Sequence, residues 1–210
     1  MIQRLLADYC RKKYFGNNER PVQIGVYRPS VLSWSCLRKQ WNYYKNFHNK
    51  APEEIPDDVV LLLSGGIVFH RLLQSLKDNG RSYWDKVEVE CKVEVQLPSG
   101  VILIVGHADA LKNGKVYEFK HVRTLPSKPR FEHILQLNFY LKALNSVEGV
   151  LLYAGYAEGG GIIIREFPWR LSPWHFQHLV NRAEMLHIML MNDTPPQCSC
   201  SDKRHEYQIL

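Results

Sequence analysis

Residues 101–122 read VILIVGHADALKNGKVYEFKHV, two runs of strand-forming residues divided by Asn113-Gly114. The Asn-Gly pair supplies the two positive-φ positions of a type I′ turn, so strands are predicted over 101–111 and 116–122. The turn sets the register. Lys112 faces Lys115, Leu111 faces Val116, Ala110 faces Tyr117, and Asp109 then faces Glu118, with Cβ atoms about 4.5–5.5 Å apart. Side chains alternate along a strand, so Lys120 shares the face of Glu118 and is expected opposite His107.

Two carboxylates about 5 Å apart repel by about 3 kcal/mol at an effective dielectric of about 20, a cost that a divalent cation would offset. Paired hard oxygen ligands suit magnesium or manganese, which keep several waters and leave room for a phosphate oxygen. With Lys120 nearby to hold an attacking water or developing charge, the constellation reads as metal-assisted phosphodiester hydrolysis. The alternative reading of the same residues is a solvated strand pair whose charges keep a sheet edge soluble.

At 210 residues and 45% hydrophobic, the chain is expected to form one domain: a helical region over 1–60, a catalytic core over 61–170, and a helix with a cysteine-bearing tail over 171–210. Its charge of +6 favours polyanionic partners, against the plainer alternative of a basic protein with no nucleic-acid role. Arg4, Asp8 and Arg11-Lys12-Lys13 interrupt any apolar leader, and no run approaches the roughly 20 apolar residues of a membrane span. A cytoplasmic protein with no membrane partner is expected, its thiols free or metal-bound.

Around the hairpin, residues 1–15 read as an amphipathic helix, 29–47 as a basic and aromatic helical region, and 51–58 as a linker. Phe69, Leu72, Leu73 and Leu76 mark a helix over 66–77 stopped by Asn79-Gly80. Alternating Val87, Val89, Cys91, Val93 and Val95 mark a strand, with Cys91 a small core hydrophobe. A helix over 131–144, strands over 150–156 and 162–167, and a helix over 173–191 complete an α/β fold, a mixed central sheet flanked by helices.

His70 lies beside the apolar stripe of its helix, as a metal ligand or phosphate contact or as a packed histidine. His133, Gln136 and Tyr140 share one stripe of the later helix, which faces either solvent or the cleft. Cys10, Cys36, Cys198 and Cys200 lie near the two chain ends, where thiolates from both ends would hold zinc or an iron–sulfur cluster, or a frayed tail would leave them unused.

Together these residues resemble the PD-(D/E)XK nuclease superfamily, and most closely the RecB-like exonucleases associated with CRISPR adaptation and their archaeal-virus relatives. The matching pieces run in family order: residues 33–39 (SWSCLRK), 66–70, Gly106-His107-Ala108-Asp109, Glu118-Phe119-Lys120, His133 with Gln136 and Tyr140, and Pro195-Pro196-Gln197-Cys198. The resemblance implies a restriction-endonuclease-like core and a metal-dependent deoxyribonuclease. His70, Asp109, Glu118 and the Phe119 carbonyl would hold Mg2+ or Mn2+, Lys120 would orient the water, and Gln136 and Tyr140 would position the phosphodiester. It further implies a four-iron four-sulfur cluster, for which Cys36 matches the upstream ligand and Cys198 with Cys200 the first downstream pair, separated by one residue where the family has two. The third downstream cysteine is missing, leaving Cys10 or His205 as fourth ligand, or a degenerate site. The implied substrate is DNA, as single strands or ends, with CRISPR adaptation proteins as partners. Arg38, Lys39, Trp41 and Tyr44, in a stretch reaching Phe47 and Lys50, mix basic and aromatic side chains suited to stacking bases and tracking phosphates. The alternatives are a nuclease-like DNA-binding or assembly module without catalysis, and a dimeric structure-specific endonuclease.

Overall fold

The hairpin at Asn113-Gly114 forms with φ of 49° and 75° at its two turn residues, the left-handed pair that a type I′ turn requires. The computed structural model describes residues 2–15, 23–46, 55–156, 161–198 and 200. Phe47, Lys50 and His205, with residues 51–54 of the expected linker and Gly159-Gly160, lie outside the described residues.

In chain order the elements are α1 (Ile2–Cys10), continued by a π-helical turn (Arg11–Phe15), β1 (Val26–Tyr27), α2 (Pro29–Leu32), α3 (Leu37–Asn46), α4 (Asp57–Gln74), β2 (Lys77–Asp78) and β3 (Arg81–Ser82). There follow β4 (Lys86–Leu97), β5 (Gly100–Lys112), β6 (Lys115–His121), α5 (Phe131–Ala143), β7 (Glu148–Tyr156), β8 (Ile162–Arg170) and α6 (Pro173–Met191). The six-stranded sheet runs β1-β5-β6-β7-β8, with β4 on the other edge of β5. Strands β6 and β7 are parallel, as are β1 and β5, and the remaining pairs are antiparallel. The α/β class with a mixed sheet flanked by helices is the expected one.

Helix α5 fills one face of the sheet. Residues 134–141 are buried without interruption, and each fully buried Leu or Phe contributes about 1.5–3 kcal/mol. Asn138 survives there because Ile134 O accepts from its Nδ2 at 2.8 Å and its Oδ1 accepts the Ser172 N–H at 2.7 Å. Helix α4 covers the other face, where Phe69 and Leu73 meet Trp84, Ala110, Phe119 and Leu152.

Several local expectations shift. The region over 29–47 splits into α2 and α3, with Cys36 at the break. Helix α4 starts at Asp57 and not at 66, because Asp57 and Asp58 complement the helix N-terminus and Arg11 Nη2 ties down both Asp57 Oδ1 and the Ile55 carbonyl, each at 2.5 Å. It ends at Gln74, and Asn79-Gly80, expected as a helix stop, is instead the turn of the β2–β3 hairpin, with φ of 49° and 78°. Strand β1 carries no pattern long enough to announce it.

The largest departure lies in β4 and β5. Their register is unbroken from Lys86↔Leu111 to Leu97↔Gly100, except that Glu88 and Asp109 do not pair. Glu88 has φ of 50°, and the alternation of faces changes there. Ala108 packs beneath α5, whereas Ala110, two residues on, packs beneath α4. Val87 is accordingly 41% exposed, off the core face that Val89, Cys91, Val93 and Val95 occupy. The distorted position is Glu88, and its unpaired counterpart on β5 is Asp109.

Candidate active site

The β5–β6 ladder holds the expected pairs Lys112↔Lys115, Leu111↔Val116 and Ala110↔Tyr117, and stops there. Beyond Ala110 the strands part, so Asp109 and Glu118 are not ladder partners and Lys120 does not lie paired with His107; Lys120 pairs with Tyr153 of β7 instead. The expected direct opposition is thus replaced by an opening between two strands. Asp109 Oδ2 bridges it, accepting the Phe119 N–H at 2.6 Å.

The two acids nevertheless share one site. Glu118 is 2% and Asp109 8% exposed. Burial, together with the charge of Asp109 and against the opposing effect of Lys120, pushes the Glu118 carboxyl up to about 8. Lys120 Nζ donates to Glu118 Oε1 at 2.7 Å and to Gln136 Oε1 at 2.7 Å, and Gln136 Nε2 donates to Tyr140 Oη at 3.1 Å. On the α4 side, His70 Nδ1 lies 3.1 Å from Asp109 Oδ1. Burial lowers the basicity of His70, but the hydrogen bond and charge of Asp109, with the charge of Glu118, leave it raised. Lys120 and His70 therefore offset only part of the repulsion assigned above to a cation, and Glu118 stays raised.

What remains unsatisfied is Glu118 Oε2, which is buried with no hydrogen-bond partner among the described residues. A buried, unpaired carboxylate oxygen is costly and is a donor that a hard cation would take up, although the ligand atoms of His70, Asp109 and Glu118 do not gather within 4.8 Å of one another as the cysteine sulfurs do. Phe119 is fully buried, its ring against His70 and Trp84 and its N–H on Asp109, so the residue borders the site.

The stripe of α5 faces inward: Gln136 and Tyr140 are buried in the site, with burial holding the Tyr140 hydroxyl well above its usual acidity range. His133 leaves the stripe to place Nδ1 2.7 Å from Tyr153 Oη, and burial depresses it to about 3. Gln74 and Glu88 were not foreseen. Gln74 Nε2 donates to Glu88 Oε1 at 2.5 Å and lies 3.3 Å from the Asp109 carbonyl. Gln74 falls one helical turn after His70, a spacing that would have marked it.

A second cluster forms between the chain's two ends. The Sγ atoms of Cys36, Cys198 and Cys200 lie within 4.8 Å of one another, the group of metal-ligand type that stands out among the described residues. Although burial raises the Cys36 thiol, the backbone N–H groups of Lys39 and Arg38 and the two tail thiols leave it lowered, while burial and Cys36 push Cys200 up to about 11. Cys10 is not part of the group: it is buried with Ala7 and Val60, where α1 meets α4. Cys91 is a core residue as expected, 2% exposed.

Of the expected DNA-contact residues, Tyr44 is buried, and Arg38, Lys39 and Trp41 are partly exposed. Tyr44 is 5% exposed, and its hydroxyl accepts the Arg28 N–H at 2.8 Å, so it is a core residue and not a stacking platform. Arg38 donates to the Pro196 carbonyl at 3.3 Å and lies over the Trp41 ring. Trp41 Nε1 reaches the Met189 carbonyl at 3.4 Å, and Lys39 Nζ sits 4.5 Å from the centroid of Trp34. Of these, Arg38 ties the tail beside the cysteines through Pro196.

The chain matches no family model and no curated protein. Among solved structures, the crystal structure of SSO0001 aligns with a TM-score of 0.64 at 24% identity, over 90% of this chain and 86% of that one. The likeness is one of fold, a central mixed sheet flanked by helices. Two structures of Scheffersomyces stipitis Rai1, one in complex with (3'-NADP)+ and calcium ion, align at 10% and 11% identity with TM-scores of 0.39 and 0.38. They cover 90% and 97% of this chain and 66% and 67% of theirs, a likeness too remote to inform the site. Among the described residues no helix is long and apolar enough to cross a membrane.

Proposed function

We propose that this protein is a metal-dependent deoxyribonuclease that hydrolyses phosphodiester bonds in single-stranded DNA or at DNA ends. The observation that carries the reading is the buried, unpartnered Glu118 Oε2 in a cleft that also holds Asp109, His70 and Lys120. His70, Asp109, Glu118 and the Phe119 carbonyl are the groups that would hold Mg2+ or Mn2+, which when bound supplies an acidified water and shares the charge on phosphorus. Lys120 orients the attacking water from its seat between Glu118 and Gln136. Gln136 and Tyr140 set the direction of the lysine and brace the phosphodiester. Asp109, bonded to Phe119 N–H, is held in place before any substrate arrives.

The cysteine triad belongs to the same proposal as a four-iron four-sulfur or zinc site. Against burial, the backbone N–H groups of Lys39 and Arg38 lower the Cys36 thiol, which suits ligation of a soft metal. All five cysteines are placed, and Cys10 and Cys91 are elsewhere, so a fourth ligand would be something other than cysteine. A cytoplasmic role in CRISPR adaptation or in viral DNA processing completes the reading.

The deciding assay incubates end-labelled linear and circular single-stranded DNA with wild type and Lys120→Ala in Mg2+, Mn2+ or EDTA. Cation-dependent cleavage by wild type, lost in the variant, is expected. Equal cleavage by both proteins would reject the assignment.

A further inference from the structure

Strand β4 runs along one edge of β5, and the other edge is shared by β1 at Leu103 and Ile104 and by β6 from Ala110 onward. Between them, from Val105 to Asp109, no strand lies beside that edge among the described residues. The gap is occupied by a cavity of about 490 Å3, within the range of about 300–1,000 Å3 usual for small-ligand sites. Arg28, Ser30, Gly106, His107 and Tyr140 are among the residues that line it.

Tyr140 joins this cavity to the acid cleft. Its hydroxyl accepts from Gln136, whose Oε1 accepts from Lys120, which in turn donates to Glu118, so three hydrogen bonds link the cavity wall to the buried acid. The absence of a side chain at Gly106 permits this closeness: a Cβ there would fall 2.7 Å from Pro29 Cγ and 3.1 Å from Tyr140 Cε1.

Arg28 is fixed at the backbone by the Tyr44 hydroxyl, yet its guanidinium has no hydrogen-bond or ion-pair partner among the described residues. It is half-buried at the wall of a cavity, and guanidinium is the side chain best matched to phosphate oxygens. The carboxylate on the rim, Glu90, is paired with Lys92 Nζ at 3.0 Å, which reduces its repulsion of an anion.

We infer that the sheet gap is the subsite for the nucleotide adjoining the scissile phosphate, with Arg28 gripping that neighbour's phosphate and the Tyr140 and His107 side contacting its sugar and base. The inference rests on the proposed cleavage at the acid cleft, and its test separates the two. The probe is a fluorescein-labelled oligothymidylate, titrated by anisotropy against full-length protein carrying Asp109→Ala so that no cleavage intervenes. Adding Arg28→Ala should weaken binding about tenfold and flatten the slope of log affinity against log salt by about 0.7, the loss of one phosphate contact to a single strand. Arg28→Lys should restore part of both. Arg170→Ala, on the exposed edge strand β8, removes the same charge away from the gap and should change binding less than twofold. Thermal melting verifies that each variant is folded.

If Arg28→Ala and Arg170→Ala behave alike, or if the oligonucleotide does not bind, the subsite is overturned. A wild type that cuts nothing while the Arg28 effect persists would remove the nuclease reading and leave the gap as a nucleic-acid site. Cleavage that needs Asp109 but ignores Arg28 would remove the subsite alone.

Discussion

Asp109 and Glu118 come from two strands joined by a two-residue turn, whereas Cys36 meets Cys198 and Cys200 only because the tail beyond α6 lies against the start of α3. The first site is buried in the sheet and knit by charged hydrogen bonds; in the second, Cys198 is exposed. Chemistry that needs water excluded and charges strengthened belongs in the first, since electrostatic interactions grow as the local dielectric falls. The second is built as a clasp between chain ends. The two regions should therefore fail separately.

The largest effect expected is on cleavage. Asp109→Ala or Lys120→Ala should lower the initial rate with Mn2+ by about a thousandfold or more, the scale seen when one preorganised charge or donor is removed from an active site, while Cys36→Ser stays within about tenfold of wild type. A Cys36→Ser enzyme as dead as Asp109→Ala would erase the distinction between catalytic cleft and clasp. Metal content is the converse test. Cys36→Ser should lose its bound iron or zinc, measured by plasma emission on anaerobically purified protein, and Asp109→Ala should keep it. Loss of thiol-bound metal in both would mean that the two regions form one cooperative unit.

A smaller effect is expected on stability. A Cβ at Gly149 would fall 2.8 Å from the Val116 carbonyl and 3.0 Å from Leu137 Cδ1, between β6 and α5. Gly149→Ala should thus cost about 1–3 kcal/mol in urea unfolding, as overpacked cores do, and lower cleavage without changing thiol-metal content. The smallest is a pH slope. Burial holds His133 neutral, with its pKa lowered to about 3, so the unfolded chain binds the extra proton. The stability this group provides is complete above its ordinary range and is lost as pH falls from about 6.5 toward 3, by at most about 1.4 kcal/mol per pH unit. His133→Gln should flatten that slope; an unchanged slope would show that another group near α5 is responsible.

Much of the site could be read from local pattern. The Asn-Gly turn fixes the register of its own strands, so the three pairs nearest it are where alternation puts them, and Glu118, Lys120, Gln136 and Tyr140 follow from strand and helix periods. Other elements were misread for equally local reasons. A second Asn-Gly, at Asn79-Gly80, makes a hairpin with strands of two residues each, too short to show a period, and so passes for a helix stop. Tyr44 looks like a stacking platform because a basic aromatic helix has the same composition whether its rings stack on bases or on each other.

Turn chemistry, hydrophobic period and residue type were enough to establish the hairpin, the α/β class and the identity of the clustered acids, because each depends on neighbours a few residues away. The break in alternation at Glu88 and Asp109, the parting of β5 from β6, the gap bordered by Arg28 and the meeting of the cysteines depend on elements distant in sequence. Those features arise when helices on opposite faces compete for the same strand and when a tail finds its seat. No window of sequence contains both partners to such a contact, so packing settles it.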